Sequence, residues 1–137
     1  MAQVRTWAAF DVHVSGVVAA TLERDSGELR VQRLPGGSEA VVEFVEGLAG
    51  PVRASYEAGP TGFVLARRLE AIGVDCLVCA PGLIPRGPTD RVKTDRRDAE
   101  RLVRLLAAGD LHRVAVPSVE AEGCVIWSAR ARICAGI

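Results

Sequence analysis

Residues 4–34 read VRTWAAFDVHVSGVVAATLERDSGELRVQRL, and this stretch decides the fold. Val4 to Asp11 alternates toward a strand that ends on an acid. Val12 to Glu23 is a second β-rich run and Glu28 to Leu34 a third. The links through Ser15-Gly16 and Asp25-Ser26-Gly27 carry the residues that tight hairpin turns demand. Three antiparallel strands are therefore expected first. Outward from them the period changes. Ser38 is placed to cap a helix whose Val41, Val42, Val45 and Leu48 follow helical spacing, stopped at Gly50-Pro51. Val52 to Glu57 is a short strand, again ending on an acid. Pro60 to Ile72 reads as a helix with Phe63, Leu65, Ala66 and Leu69 inward and Gly73 closing it. Val74 to Cys79 is an apolar strand, Pro81 to Thr89 a Pro/Gly loop, and Asp95 to Ala108 a helix closed by Gly109. Antiparallel strands followed by alternating helices and strands predict an α/β domain with a mixed sheet and flanking helices.

A chain of 137 residues holds one ordinary domain, and 49% hydrophobic with 25% charged residues excludes disorder, collagen and coiled coil. No apolar run reaches the ~18 residues of a membrane-spanning helix, and the start has no secretory pattern. The four cysteines, at 76, 79, 124 and 134, lack the spacing of a disulfide framework, so a cytoplasmic location is expected. Net charge is zero, which argues against a generally basic nucleic-acid binder. Locally the balance shifts: from Arg86 to Arg104 seven bases face four acids.

Four carboxylates stand out. Asp11 and Glu57 end strands, where α/β sheets assemble their sites. Asp95 and Asp98 lie one helical turn apart and extend the stripe of Ala99, Leu102, Val103 and Leu106, with Arg97, Arg101 and Arg104 on another face. Carboxylates on an inward face are costly unless paired or bound to a cation. Oxygen-only ligands favour magnesium or manganese, and two such ions about 4 Å apart serve phosphodiester chemistry. Taken singly, each acid has an ordinary role as strand end, turn residue, N-cap or first-turn acid. Their coincidence favours a metal site of Asp11, Glu57, Asp95 and Asp98.

Three segments, FDVHVSGVVAATLE, YEAGPTGFVLARRLEAIG and KTDRRDAERLVRLLAAGDL, together resemble the DEDD transposases, insertion-sequence recombinases related to Piv-type DNA invertases. The match covers about residues 4 to 118, and the third segment is its most specific part. The resemblance implies a RuvC-like, ribonuclease H-like fold over residues 1–118. It also implies the acid tetrad at Asp11, Glu57, Asp95 and Asp98, with magnesium between them, for strand cleavage and exchange. Implied partners are DNA, a structured guide RNA and further copies of the full-length protein. A C-terminal domain with a nucleophilic serine is implied as well and is absent from this sequence, so the chain is expected to be a truncated N-terminal catalytic domain, inactive alone. On this reading Arg91, Lys93, Arg96, Arg97 and Arg101 contact nucleic-acid phosphates; a solvated helix face with short-range ion pairs is the competing reading.

Residues 119–137 form an aberrant tail. After Glu122 the sequence GCVIWSARARICAGI has no periodicity, and a GC-rich back-translation in a shifted frame reads as an amphipathic helix, LRDLVRAREDLRGH. A frameshift near Gly123 and a divergent natural C-terminus are the two explanations. Two further functional readings are a stand-alone metal-dependent nuclease or junction resolvase, and a non-catalytic fragment that binds nucleic acid. Cys76 and Cys79 have CxxC spacing, but a strand sends their sulfurs to opposite faces, so core packing is expected over zinc. His13 shares a strand face with Asp11, from which it could approach the site, but the expectation for it and for His112 is an ordinary surface or packing residue. The loose likeness of residues 11–16 to the phosphate hairpin of actin-like kinases lacks the second lobe a kinase needs.

Overall fold

The computed structural model describes residues 3–59, 62–80 and 95–117, the side chain of Asp95 excepted. Three strands come first: β1 (Thr6–His13), β2 (Gly16–Glu23) and β3 (Leu29–Leu34). Then follow α1 (Ser38–Glu46), β4 (Val52–Glu57), α2 (Val64–Ala71), β5 (Asp75–Cys79) and α3 (Asp95–Ala108). The sheet runs β3-β2-β1-β4-β5. β1 pairs antiparallel with β2 and parallel with β4, and β4 pairs parallel with β5. A meander extended by parallel strands on the far side of β1 is the ribonuclease H-like arrangement, so the expected α/β class holds.

Alternation along the strands divides the core in two. Ala8, Phe10, Val17, Ala19, Ala54, Tyr56, Cys76 and Val78 turn to the side covered by α1 and α2, where Val41, Val45, Leu65 and Leu69 meet them. Ala9, Val18, Ala20 and Cys79 turn to the other side, under Ala99, Leu102 and Val103 of α3. Cys76 and Cys79 therefore fall in different cores, both free and buried, as a strand requires. Burial pushes the Cys76 thiol up to about 12, which makes it an inert packing residue.

The element boundaries hold corrections. The first strand does not stop at Asp11 but continues through Val12 and His13, which pair with Val17 and Gly16. Hence the hairpin turns at Val14-Ser15. Ser38 is not a cap: Gly37 holds the N-cap position without a side-chain hydrogen bond, and α1 ends at Gly47, before Gly50-Pro51. α2 begins at Val64, and Pro60-Thr61 lie outside the described residues. α2 and α3 end alike. Gly73 and Gly109 adopt φ of +85° and +76°, and the next amide reaches back to Leu69 or Leu105 at 3.0 Å. A side chain at either glycine would strain that closure. The Pro/Gly loop of residues 81–89 and the tail of residues 119–137 lie outside the described residues.

Candidate active site

The parallel pairing of β1 with β4 ends at Phe10 opposite Tyr56. Asp11 and Glu57 are the next residues in each strand. Because Phe10 and Tyr56 both enter the α1/α2 core, Asp11 and Glu57 turn to the face covered by α3. They stand side by side at the carboxyl ends of neighbouring parallel strands, where α/β sheets place their sites. Asp11 is held on its other side by pairing with Val18, and its side chain is 19% exposed. Glu57 pairs with Cys79 and is exposed.

The remaining two acids, Asp95 and Asp98, belong to the first turn of α3. Its last turn, Leu106 to Gly109, lines a cavity with Gln3, Val4, Trp7 and Arg53, near the starts of β1 and β4. The C-terminal end of α3 therefore sits over the starts of these two strands. From Leu106 to Asp98 is about 12 Å of helix at 1.5 Å per residue. From Trp7 to Asp11 is about 13 Å of strand. Asp98 lies in the first turn of α3, at the end of the helix away from that cavity. Ala99, Leu102, Val103 and Leu106 are buried as the helical stripe predicts, and the Asp98 side chain at its border is 18% exposed. Asp95 is the first residue of α3, with its side chain outside the described residues.

Two basic side chains meet these acids. His13 Nε2 lies 3.0 Å from Asp11 Oδ2, and Arg101 Nη1 lies 3.6 Å from Asp98 Oδ1. Arg101, expected at a phosphate-binding face, is thus half-way to the acid face, with 17% of its side chain exposed. Arg96 is exposed and pairs with Glu100 at 3.4 Å. Arg97, Arg101 and Arg104 border an open depression along the outer side of α3. Arg91 and Lys93 lie outside the described residues. The donor set at this end is all carboxylate oxygen, the chemistry that suits a hard divalent cation. Among the described residues no three His, Cys, Asp or Glu side chains converge on one point.

One neighbour escaped the sequence reading. Ser55, two residues before Glu57 on the same face, is fully buried, and its hydroxyl has no hydrogen bond of ordinary geometry among the described residues. Strand alternation could have placed it inside, beside the acids. Burial pushes the nearby Cys79 thiol up to about 11, against a smaller opposing pull from the Ser55 hydroxyl.

No protein-family model matches the chain. It is 41% identical over 113 residues to y4qE, a Sinorhizobium fredii protein that carries a transposase name, covering 80% of this chain and 29% of that protein. It is 38% identical over 106 residues to the transposase for insertion sequence element IS1533 of Leptospira borgpetersenii, covering 74% of this chain and 31% of the relative. Most of the chain is thus homologous to a segment of transposases, and it spans less than a third of the length of these relatives. Among solved structures, the catalytic core domain of BIV integrase aligns over 96% of this chain and 86% of its own, at 16% identity and a TM-score of 0.38. Among the described residues no helix is long and apolar enough to cross a membrane.

Proposed function

We propose that this chain is the catalytic domain of a DEDD-type DNA transposase, in which Asp11, Glu57, Asp95 and Asp98 bind magnesium or manganese for strand cleavage and exchange. One observation carries the reading. Asp11 and Glu57 adjoin on the α3 face immediately beyond the last β1–β4 pair. Homology to transposases gives that cluster its substrate class.

Asp11, Glu57, Asp95 and Asp98 would hold the divalent ion, which would supply activation of a water or hydroxyl and charge stabilisation for the leaving oxygen of a phosphodiester. The protein's own part is to fix the carboxylates. Two come from paired strands and two from one helix, so their spacing is set by rigid elements rather than loops. Arg91, Lys93, Arg96, Arg97 and Arg101 then hold the backbone phosphates of DNA or of a structured guide RNA beside the acids, in contacts that do not read sequence. Arg101 also balances Asp98, so its two duties are linked. Assembly into an oligomer and a separate serine-bearing domain belong to the full-length protein.

The test is a magnesium titration of thermal unfolding. The wild-type chain is expected to gain about 2.7 kcal/mol at a hundredfold excess over Kd. Asp95→Asn combined with Asp98→Asn should abolish the gain while the metal-free protein still unfolds cooperatively. Equal stabilisation of the double variant removes the site.

A further inference from the structure

His13 is expected from the sequence to be an ordinary surface or packing residue, yet its imidazole meets the carboxylate of Asp11 at 3.0 Å. We propose that His13 is a positioning residue that fixes the Asp11 carboxylate for metal binding, an inference that rests on the metal-centre reading above.

The backbone first explains why Asp11 needs such a partner. β4 pairs with β1 as far as Phe10, and beyond that residue β2 is the partner strand among the described residues. The Asp11 carboxylate thus stands where the parallel pairing ends, on the α3 face. His13, two residues on and therefore on the same face, supplies a donor to Oδ2. A neutral imidazole protonated at Nε2 is sufficient. The contact needs no net charge on the ring.

The platform under His13 is tight. His13 pairs with Gly16 across the turn. A Cβ added at Gly16 would stand 3.3 Å from the Leu34 carbonyl oxygen, and one at Gly36 would stand 3.3 Å from that of Val14. The hairpin tip is thus packed backbone to backbone against the end of β3 and the segment after it. His13 reaches Asp11 from a braced turn. The ring is the more exposed partner, at 43% against 19% for the carboxylate, so it approaches Asp11 from the solvent side.

Stability is a poor reason for such a pair, since exposed ion pairs contribute ~1 kcal/mol or less. Orientation is a better one. Groups that hydrogen-bond a ligating carboxylate change metal affinity by about 10- to 100-fold when removed.

The experiment is calorimetric titration of the whole chain with magnesium chloride and, separately, manganese chloride. His13→Ala and His13→Phe, the second keeping a ring without a donor, are each expected to weaken binding about tenfold. His13→Gln, whose amide nitrogen reaches toward the place of Nε2, should return affinity to near the wild-type value. In an Asp11→Asn background His13→Phe should have no further effect, because the group it positions is gone. Circular dichroism confirms that each variant is folded, and His13→Phe and His13→Gln keep the test open if His13→Ala unfolds. Wild-type affinity in both His13→Ala and His13→Phe overturns the inference while leaving the metal site standing. Tighter binding in those variants overturns it too, by showing that the imidazole competes with the ion. A wild-type chain that binds neither metal defeats the metal-centre reading itself and this inference with it.

Discussion

The two faces of the sheet are built from different materials. Under α1 and α2 the core contains Phe10, Tyr56, Leu65 and Leu69. The Phe10 and Phe44 rings meet edge to face, with centroids 6.2 Å apart. Even the polar atom there is used, since the Tyr56 hydroxyl donates to the Gly62 carbonyl at 3.0 Å and accepts from the Ala66 amide at 3.3 Å. Under α3 the contact is made mainly by Ala9, Ala20, Ala99 and Val103, with Val18, Cys79 and Leu102 filling around them. Small side chains let the helix lie close to the sheet, and polar groups gather at the edge of that contact. The first face supplies most of the burial that holds the domain together. The second gives up volume for close approach between helix and sheet.

The largest test of this division is volume removal on each side. Phe10→Ala is expected to cost about 3–5 kcal/mol in chemical denaturation. Val18→Ala, which removes two methyl groups from the α3 face, should cost about 1.5–2 kcal/mol. Equal losses would mean that the small-residue face contributes as much as the aromatic one, and the division would fail.

A good part of this was legible in the sequence, and the reason is periodicity. α3 was readable to its ends because Ala99, Leu102, Val103 and Leu106 repeat at helical spacing and Gly109 stops them. β4 was readable because Val52 to Glu57 is bounded by Pro51 and by the acid itself. Asp11 is not the strand end its sequence suggests, because β1 has two partners of unequal length. Its parallel pairing stops at Phe10 while its antiparallel pairing runs on to His13. A single sequence gives no sign of the first boundary, which depends on a strand about forty residues further on. The Arg101–Asp98 contact was foreseeable as one of several short-range pairs on a helix, but which pair forms depends on where the sheet lies beneath α3. For Ser55 the alternation of β4 gives the face, while its complete burial depends on what packs over that face, which the strand's own sequence does not show.

Ser55 sharpens the comparison at smaller scale. Its hydroxyl is buried on the α3 face without a bond of ordinary geometry. Removing an unpaired buried hydroxyl recovers a desolvation cost of about 1–3 kcal/mol. Ser55→Ala should therefore stabilise the domain by about 1 kcal/mol. A loss of similar size would show that the contact with the Cys79 thiol is a working hydrogen bond, and that this face is as fully satisfied as the other.

The smallest expected effect concerns a carboxylate that shares the α3 face but has a purely structural setting. Asp75 opens β5, where Oδ2 accepts from Arg53 Nε and Oδ1 from Arg113 Nη2, each at 3.0 Å. Arg113 belongs to the segment that follows α3, which adds to the free edge of β5 through the Val114 amide and the Val78 carbonyl at 2.7 Å. The ion triad thus ties the end of the described chain to the sheet. Partial burial pushes the Asp75 carboxyl up, but the bonds and charges of Arg113 and Arg53 together outweigh it and hold the group below its ordinary 3.8. A folded-state pKa below the unfolded one means that the stabilisation is present above about pH 3.8 and is lost as pH falls through the folded value. With all three side chains 42–50% exposed, solvent screening keeps the contribution below about 1 kcal/mol. Asp75→Asn should therefore lower stability slightly at neutral pH, less so at high salt, and converge with the wild type in acid. Its magnesium response should be unchanged, because its carboxylate is committed to two guanidinium groups at the far end of the strand from Cys79 and Glu57. A metal response that fell with Asp75→Asn would place the functional end of this face elsewhere than at Asp11 and Glu57.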